Sequence, residues 1–177
     1  MKKLIISAMT LCCAAVICAG EIEIKDTLNK SKIGDKAPIG WRANGNPANL
    51  GKGEIIQGQE GKAFKIVATK NATGFYRLSG IKAKAGDKVK ISAEVKGKGK
   101  FITGFYTYVG DAKYFTAVDA EKSVVLTDKV QEIEFEFVVK NGKNGQICET
   151  IRPFIKADRN TEVIIEDLEI EVDKADK

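Results

Sequence analysis

Residues 88–108 read KVKISAEVKGKGKFITGFYTY, and the alternation within them decides the fold. Val89, Ile91, Ala93 and Val95 alternate with Lys90, Ser92, Glu94 and Lys96. A period of two puts an apolar row on one face of a strand and a charged row on the other. Gly97-Lys98-Gly99-Lys100 then supplies two residues that accept positive φ at little cost, which predicts a hairpin turn. The stretch after it differs. Phe101, Phe105 and Val109 share one face, and Ile102, Tyr106 and Tyr108 share the other. A strand with two apolar or aromatic faces buries one and leaves the other for a second task.

Outward from this stretch, the same pattern recurs. Residues 130–140, VQEIEFEFVVK, put Ile133, Phe135, Phe137 and Val139 on one face and Glu132, Glu134 and Glu136 on the other. The glutamates are expected opposite Lys90 and Lys96, as a solvated, cross-strand charge-paired surface. Shorter strands are predicted at 21–25, 54–57, 62–69, 74–79, 114–118, 123–126, 147–156 and 162–172. Gly, Asn and Asp clusters separate most of them. No stretch past residue 20 keeps helical periodicity for more than a turn or two. About ten short antiparallel strands at regular spacing predict an all-β fold, a single β-sandwich or jelly roll.

The chain starts differently. Met1-Lys2-Lys3 is followed by an apolar run from Leu4 to Ala19 that closes in small residues. That layout predicts a signal peptide over 1–20, cleaved after Ala19 or Gly20 and too short to span a membrane. Ile17 before Cys18 and Leu11 before Cys12 are not the small residues that a lipoprotein site requires. The expected organisation is a signal peptide at 1–20 and an N-terminal arm or edge strand at 21–35. A β-sandwich follows at 36–173, then a charged tail at 174–177. The mature chain is expected to have no transmembrane segment and to be secreted or held in the periplasm or cell envelope.

Composition narrows the chemistry. There is no histidine, which excludes His-based triads, Cys–His dyads and His-ligated zinc. Of the four cysteines, Cys12, Cys13 and Cys18 lie in the leader. Cys148 has no second cysteine past residue 20 for an intrachain disulfide and is expected to be a small buried residue. The net charge of +5 is carried mostly by lysine interleaved with glutamate. That is a solubility pattern, with no basic stripe for nucleic acid. A hydrolase would need two converging carboxylates, and no enzyme activity is expected.

Binding is the better prospect. Aromatic rings on an exposed sheet face stack on sugar rings, and polar neighbours hydrogen-bond the hydroxyls. Tyr106 and Tyr108 share a face with Gly104, which leaves room for a ligand. With Leu78 assigned to the core, Tyr76 turns inward and Phe75 and Arg77 point out. Arg152 is expected on the penultimate strand, and Trp41 is a rim or core residue. The candidate ligand-binding set is therefore Tyr106, Tyr108, Arg77, Arg152, Phe75 and Trp41. The alternative for each ring is a core cap with its polar end reaching solvent.

Several motifs occur in an order that resembles the carbohydrate-binding modules of families four, nine, sixteen and twenty-two. They are Gly40-Trp41, then Gly61-Lys62-Ala63-Phe64-Lys65-Ile66, then Tyr76-Arg77-Leu78 followed by Lys84 to Val89, and finally Ile165-Glu166-Asp167-Leu168. The resemblance covers about Lys36 to Val172. It implies a galactose-binding-like jelly roll that binds a glycan or polysaccharide on a sheet face. It also implies a structural calcium near the terminal strands, with Glu166 and Asp167 as candidate ligands, unless they are a solvent-facing acid pair. The sequence departs from the group at Val130, where a tryptophan is usual. The rival expectation is a cell-envelope structural or interaction β-sandwich without sugar affinity, its protein partner unknown.

Overall fold

The computed structural model describes residues 22–25, 27–45, 50–110, 114–142 and 145–175, with the backbone alone for 114–120. The expected leader at 1–20 and the last two residues lie outside that set. The described residues form eleven strands and one short helix. In chain order these are β1 (Ile22–Ile24), α1 (Thr27–Lys30), β2 (Trp41–Asn44), β3 (Lys52–Gln57), β4 (Lys62–Ala68) and β5 (Thr73–Arg77). Next come β6 (Ile81–Lys82), β7 (Lys88–Val109), β8 (Tyr114–Leu126), β9 (Gln131–Val138), β10 (Thr150–Ala157) and β11 (Thr161–Asp173). The protein is all-β, one antiparallel sheet curled into two packed layers. No helix among the described residues is long and apolar enough to cross a membrane.

The predicted hairpin at Gly97–Lys100 is not formed. β7 runs unbroken for 22 residues and belongs to both layers. Its first half pairs with β11 on one side and β9 on the other. Its second half pairs with β10 and β8. The two glycines serve a bend instead of a turn. Gly97 has φ 144° and Gly99 φ 95°, and the start of β11 packs directly against them. A Cβ on Gly97 would lie 2.0 Å from the Glu162 carbonyl oxygen, and one on Gly99 would lie 2.3 Å from Thr161 Oγ1. Neither position tolerates a side chain. Lys100 N donates to Thr161 Oγ1 at 3.0 Å and Gly97 N to the Thr127 carbonyl at 2.7 Å, so the first residue of β11 and the β8–β9 connection both fasten to the bend.

The first layer runs β3-β4-β11-β7-β9, with β1 beside β4 along the same edge of β11. The second runs β2-β5-β10-β7-β8, with β6 beside β5 along β10. The inward rows meet in the apolar core. Val89, Ile91, Ala93 and Val95 line it from the first half of β7, and Phe101 and Phe105 from the second. Edge-to-face ring pairs tie the layers together: Phe64 to Phe75 at 4.8 Å and Phe105 to Phe137 at 5.7 Å. Cys148 is fully buried among them. In β11 a bulge between Glu166 and Glu169, with Asp167 at φ 47°, shifts the alternation by one residue. Both Ile165 and Leu168 therefore face the core.

The charged outer face of the first layer also departs from expectation. Lys90 lies opposite Glu136, but Ser92 lies opposite Glu134 and Glu94 opposite Glu132. Lys96 lies past the end of that pairing and sits near Glu166 instead. Glu132, Glu94 and Glu166 are thus direct neighbours across three strands. Burial, together with the nearby Asp167, Glu132 and Glu166 carboxylates, pushes the Glu94 carboxyl above its usual range.

Candidate ligand-binding face

The bend in β7 sends its second half into a layer whose outer face is built differently. Ile102, Gly104, Tyr106 and Tyr108 point away from the core, and the register aligns three further strands with them. Tyr106 lies opposite Arg152 of β10, and Gly104 opposite Phe154. Phe154 in turn lies opposite Tyr76 of β5, and Tyr76 opposite Arg42 of β2. The next row runs Ile102, Lys156, Gly74 and Asn44. Period-two alternation on four neighbouring strands thus assembles aromatics, arginines and an asparagine on one surface.

The side chains on it interlock. The Tyr106 and Phe154 rings stack at 4.7 Å with 28° between their planes. Asn44 Nδ2 donates to the Tyr106 hydroxyl at 2.8 Å. The Arg152 guanidinium lies 5.0 Å from the centre of the Tyr108 ring and 6.0 Å from that of Tyr76. It is held between strands by the negative faces of the two rings. Its Nε is buried and without an acceptor among the described residues. Lys156 lies 3.0 Å from Glu121 and 5.8 Å from the Phe154 ring centre. Burial pushes the Tyr106 hydroxyl above its ordinary pKa, partly offset by the hydrogen bond from Asn44. Asn44, Tyr76, Tyr106 and Tyr108 line a shallow depression in this face. An open floor of rings with a few converging polar groups orients a ligand through stacking and hydrogen bonds.

Three of the six residues expected at a binding site come together here: Tyr106, Tyr108 and Arg152. Phe75 does not. It is 3% exposed and packs edge-on against Phe64 in the core. The error lay in taking Leu78 as a core residue. Leu78 lies beyond the end of β5 and is 42% exposed, so it says nothing about the parity of that strand. Tyr76 therefore faces out. Trp41 is 5% exposed, in the core cluster. Arg77, opposite Trp41 in the register, shares its inward parity at the strand end. There it donates to the Ser79 carbonyl at 3.1 Å, and burial lowers its pKa. Tyr76, Arg42 and Asn44 are face residues that the sequence reading missed, as is Phe154, which at 2% exposed supports the Tyr106 ring from beneath and offers no surface of its own. For Phe154 a signal existed, since Arg152, Phe154 and Lys156 alternate with Ile151, Pro153 and Ile155 as the two faces of β7 do.

Glu166 and Asp167 do not fit a calcium site. One Glu166 oxygen accepts from Gln59 N at 3.0 Å, and the other lies 3.8 Å from Lys96 Nζ. Asp167 is exposed on the bulge. In the adjoining hollow, Lys62 Nζ donates to the Asn29 and Ser31 carbonyls at 2.8 and 2.6 Å. An ammonium already uses these oxygens. The carboxylates that do converge among the described residues are Glu23, Glu169 and Glu171. Lys25 bridges the first two and Lys90 the third.

No known family description matches the sequence, and no curated protein does. Solved structures do match the fold. A xylan-binding domain, CBM22-1 of Xyn10C from Paenibacillus barcinonensis, aligns over 86% of this chain and 95% of its own, with TM-score 0.55 and 15% identity. A family 11 carbohydrate-binding module from Clostridium thermocellum, solved with a β-1,3-1,4-mixed-linked tetrasaccharide, aligns over 82% and 98%, with TM-score 0.51 and 13% identity. A cyclase from Fischerella sp. TAU aligns over 88% and 100%, with TM-score 0.62 and 8% identity. The arabinose-bound arabinofuranosidase MgGH51 gives TM-score 0.61 at 13% identity, and this chain spans 26% of its length. The protein thus has the jelly-roll fold of the carbohydrate-binding modules. Enzymes share that fold, so function rests on the face itself.

Proposed function

We propose that this protein is an exported, non-catalytic glycan-binding module that holds its ligand along the outer face of β7, β10 and β5. The observation that carries the reading is the ring-and-guanidinium surface. Tyr106 stacks on Phe154, and Arg152 sits between Tyr108 and Tyr76. The half-buried rings of Tyr76, Tyr106 and Tyr108 offer apolar platforms to pyranose faces, while Asn44 and Arg152 offer hydrogen bonds to hydroxyls. The fold shared with a xylan-binding domain and with a module that holds a mixed-linked tetrasaccharide supports the same reading. Glycosidic hydrolysis would require a second carboxylate beside the reacting bond. Glu121 is the carboxylate this face carries among the described residues, and it is paired with Lys156. Export follows from the leader read in the sequence.

The test is a glycan array with the mature protein, run with calcium and again with chelator. Tyr106→Ala and Tyr108→Ala run alongside. Binding is expected with both buffers, because Glu166 is committed to Gln59 and Lys96. Each alanine variant should lose about tenfold or more in affinity while keeping its circular dichroism, the scale of a lost ring platform. Binding that survives both substitutions would move the site elsewhere. Silence from a folded protein on a broad array would favour an envelope interaction protein.

A further inference from the structure

The charges on the binding face are of one dominant sign. The outer face of the first layer mixes both signs, with Glu94, Glu132, Glu134, Glu136, Glu166, Glu169 and Glu171 beside Lys65, Lys90 and Lys96. The outer face of the second carries Arg42, Arg152, Lys82 and Lys156 against Glu121. The type of cation matters as much as the sign. The chain has four arginines in a background of lysine, and two of them, Arg42 and Arg152, stand on this face. They flank Tyr76: Arg42 is its partner in the register, and the Arg152 guanidinium lies 6.0 Å from its ring. Lys156 is neutralised by Glu121. No carboxylate among the described residues pairs with either arginine. Arg152 is moreover half-buried, so its charge has lost part of its hydration without gaining a carboxylate counter-ion among the described residues.

We infer that the ligand is an anionic glycan, with a sugar carboxylate or sulfate bound by Arg152 and steered by Arg42; this rests on the glycan-binding reading above. A guanidinium matches carboxylate and sulfate oxygens in a two-pronged, charge-assisted geometry, and stacking on aromatic faces leaves its donor edge usable. A neutral sugar would use the rings and Asn44 but leave the guanidinium charge unbalanced. An anionic sugar uses both. The tyrosine rings place the pyranose and the arginine places its charged substituent.

The experiment is titration calorimetry of the mature protein with three probes, an oligogalacturonate, a heparin oligosaccharide and a neutral xylooligosaccharide, each at low and high salt. The variants are Arg152→Gln, Arg42→Gln and, as a charge control on the other layer, Lys52→Gln. At least one anionic probe should bind more tightly than the neutral one and weaken with salt. Arg152→Gln should weaken it about tenfold or more, Arg42→Gln less, and Lys52→Gln not at all. Galacturonate alone assigns a carboxylate ligand, and heparin alone a sulfate. Arg42 is exposed, so its variant keeps the test valid if Arg152→Gln fails to fold. Preferred binding of the neutral probe, unchanged in the arginine variants, overturns this inference and leaves glycan binding standing. Equal loss in Lys52→Gln shows non-specific charge attraction and overturns it too. No binding to any of the three probes by a folded protein that binds another, neutral glycan on the array overturns this inference alone, and silence on the array as well removes both readings.

Discussion

The two halves of β7 are one strand with one inward chemistry and two outward ones. Residues 88–96 turn lysine, serine and glutamate outward, and residues 101–109 turn a buried isoleucine, a glycine and two half-buried tyrosines outward. Inward, both halves feed the same core. The difference teaches where each surface gets its character. The first half lies between two strands that also carry charge outward, and ion pairs such as Lys90 with Glu171 and Lys65 with Glu162 hold that layer in water. Exposed pairs of this kind add little stability. The second half lies beside β10, whose outward row is Arg152, Phe154 and Lys156, and aromatic groups gather instead. Nothing in the folding of the core requires outward rings there.

The strongest way to break the contrast is to break the joint. Gly97→Val puts a branched side chain where the Glu162 carbonyl lies 2.0 Å from even a Cβ. Both layers lose their shared strand, so no cooperative thermal transition is expected by circular dichroism. A variant that melts normally would show that the bend can be remade.

A smaller effect is expected where β7 begins. Asp87 is fully buried and accepts from Lys84 N at 3.0 Å, from Ala175 N at 3.0 Å and from Lys174 Nζ at 3.1 Å. Burial alone would raise its pKa, but these bonds outweigh it and hold the carboxyl below the usual range. A depressed folded pKa means the ionised form stabilises the fold. That contribution is complete above the ordinary carboxylate pKa and is lost as pH falls through the lower, folded value. Asp87→Asn should cost about 1–3 kcal/mol at neutral pH and flatten the acid side of the stability profile. Denaturant titrations across pH measure both. An unchanged acid limb would refute this role for Asp87.

The smallest effect has the opposite sign. Glu94 faces Glu132 and Glu166 directly across neighbouring strands. Glu94→Gln should raise stability by about 0.2–1 kcal/mol, the scale of a like-charge pair relieved on a sheet. The gain should shrink at acid pH, where the raised carboxyl is already neutral. A loss of stability at neutral pH would mean that the glutamate row is supported by interactions stronger than its repulsion.

Much of the fold was legible because period-two alternation in residues 88–96 and 131–139 has one physical meaning for a half-buried strand. The bend was not. A Gly-x-Gly with positive φ suits a tight turn and a strand packed closely by a neighbouring one equally well. The packing residues, Thr161 and Glu162 of β11, lie far along the chain. At the binding face, Tyr106, Tyr108 and Arg152 were readable because their strands alternate cleanly around buried neighbours. Tyr76 was not, since Leu78 looked like a core residue and carried the parity of β5 with it. Arg42 and Asn44 lie on a four-residue strand between Gly- and Asn-rich loops, too short for alternation to stand out. They join the face only through pairing with β5.

The most direct measurement is an amide chemical-shift titration of the isotope-labelled mature protein with an oligosaccharide that it binds. If the outer face of the second half of β7 is the site, the largest shifts fall on residues 102–108, 150–156 and 74–76. Residues 88–96 of the same strand stay in place. Shifts concentrated on 88–96 and β9, or at the edge between Lys36 and Glu54, would contradict the assignment and put the ligand on another surface of the jelly roll.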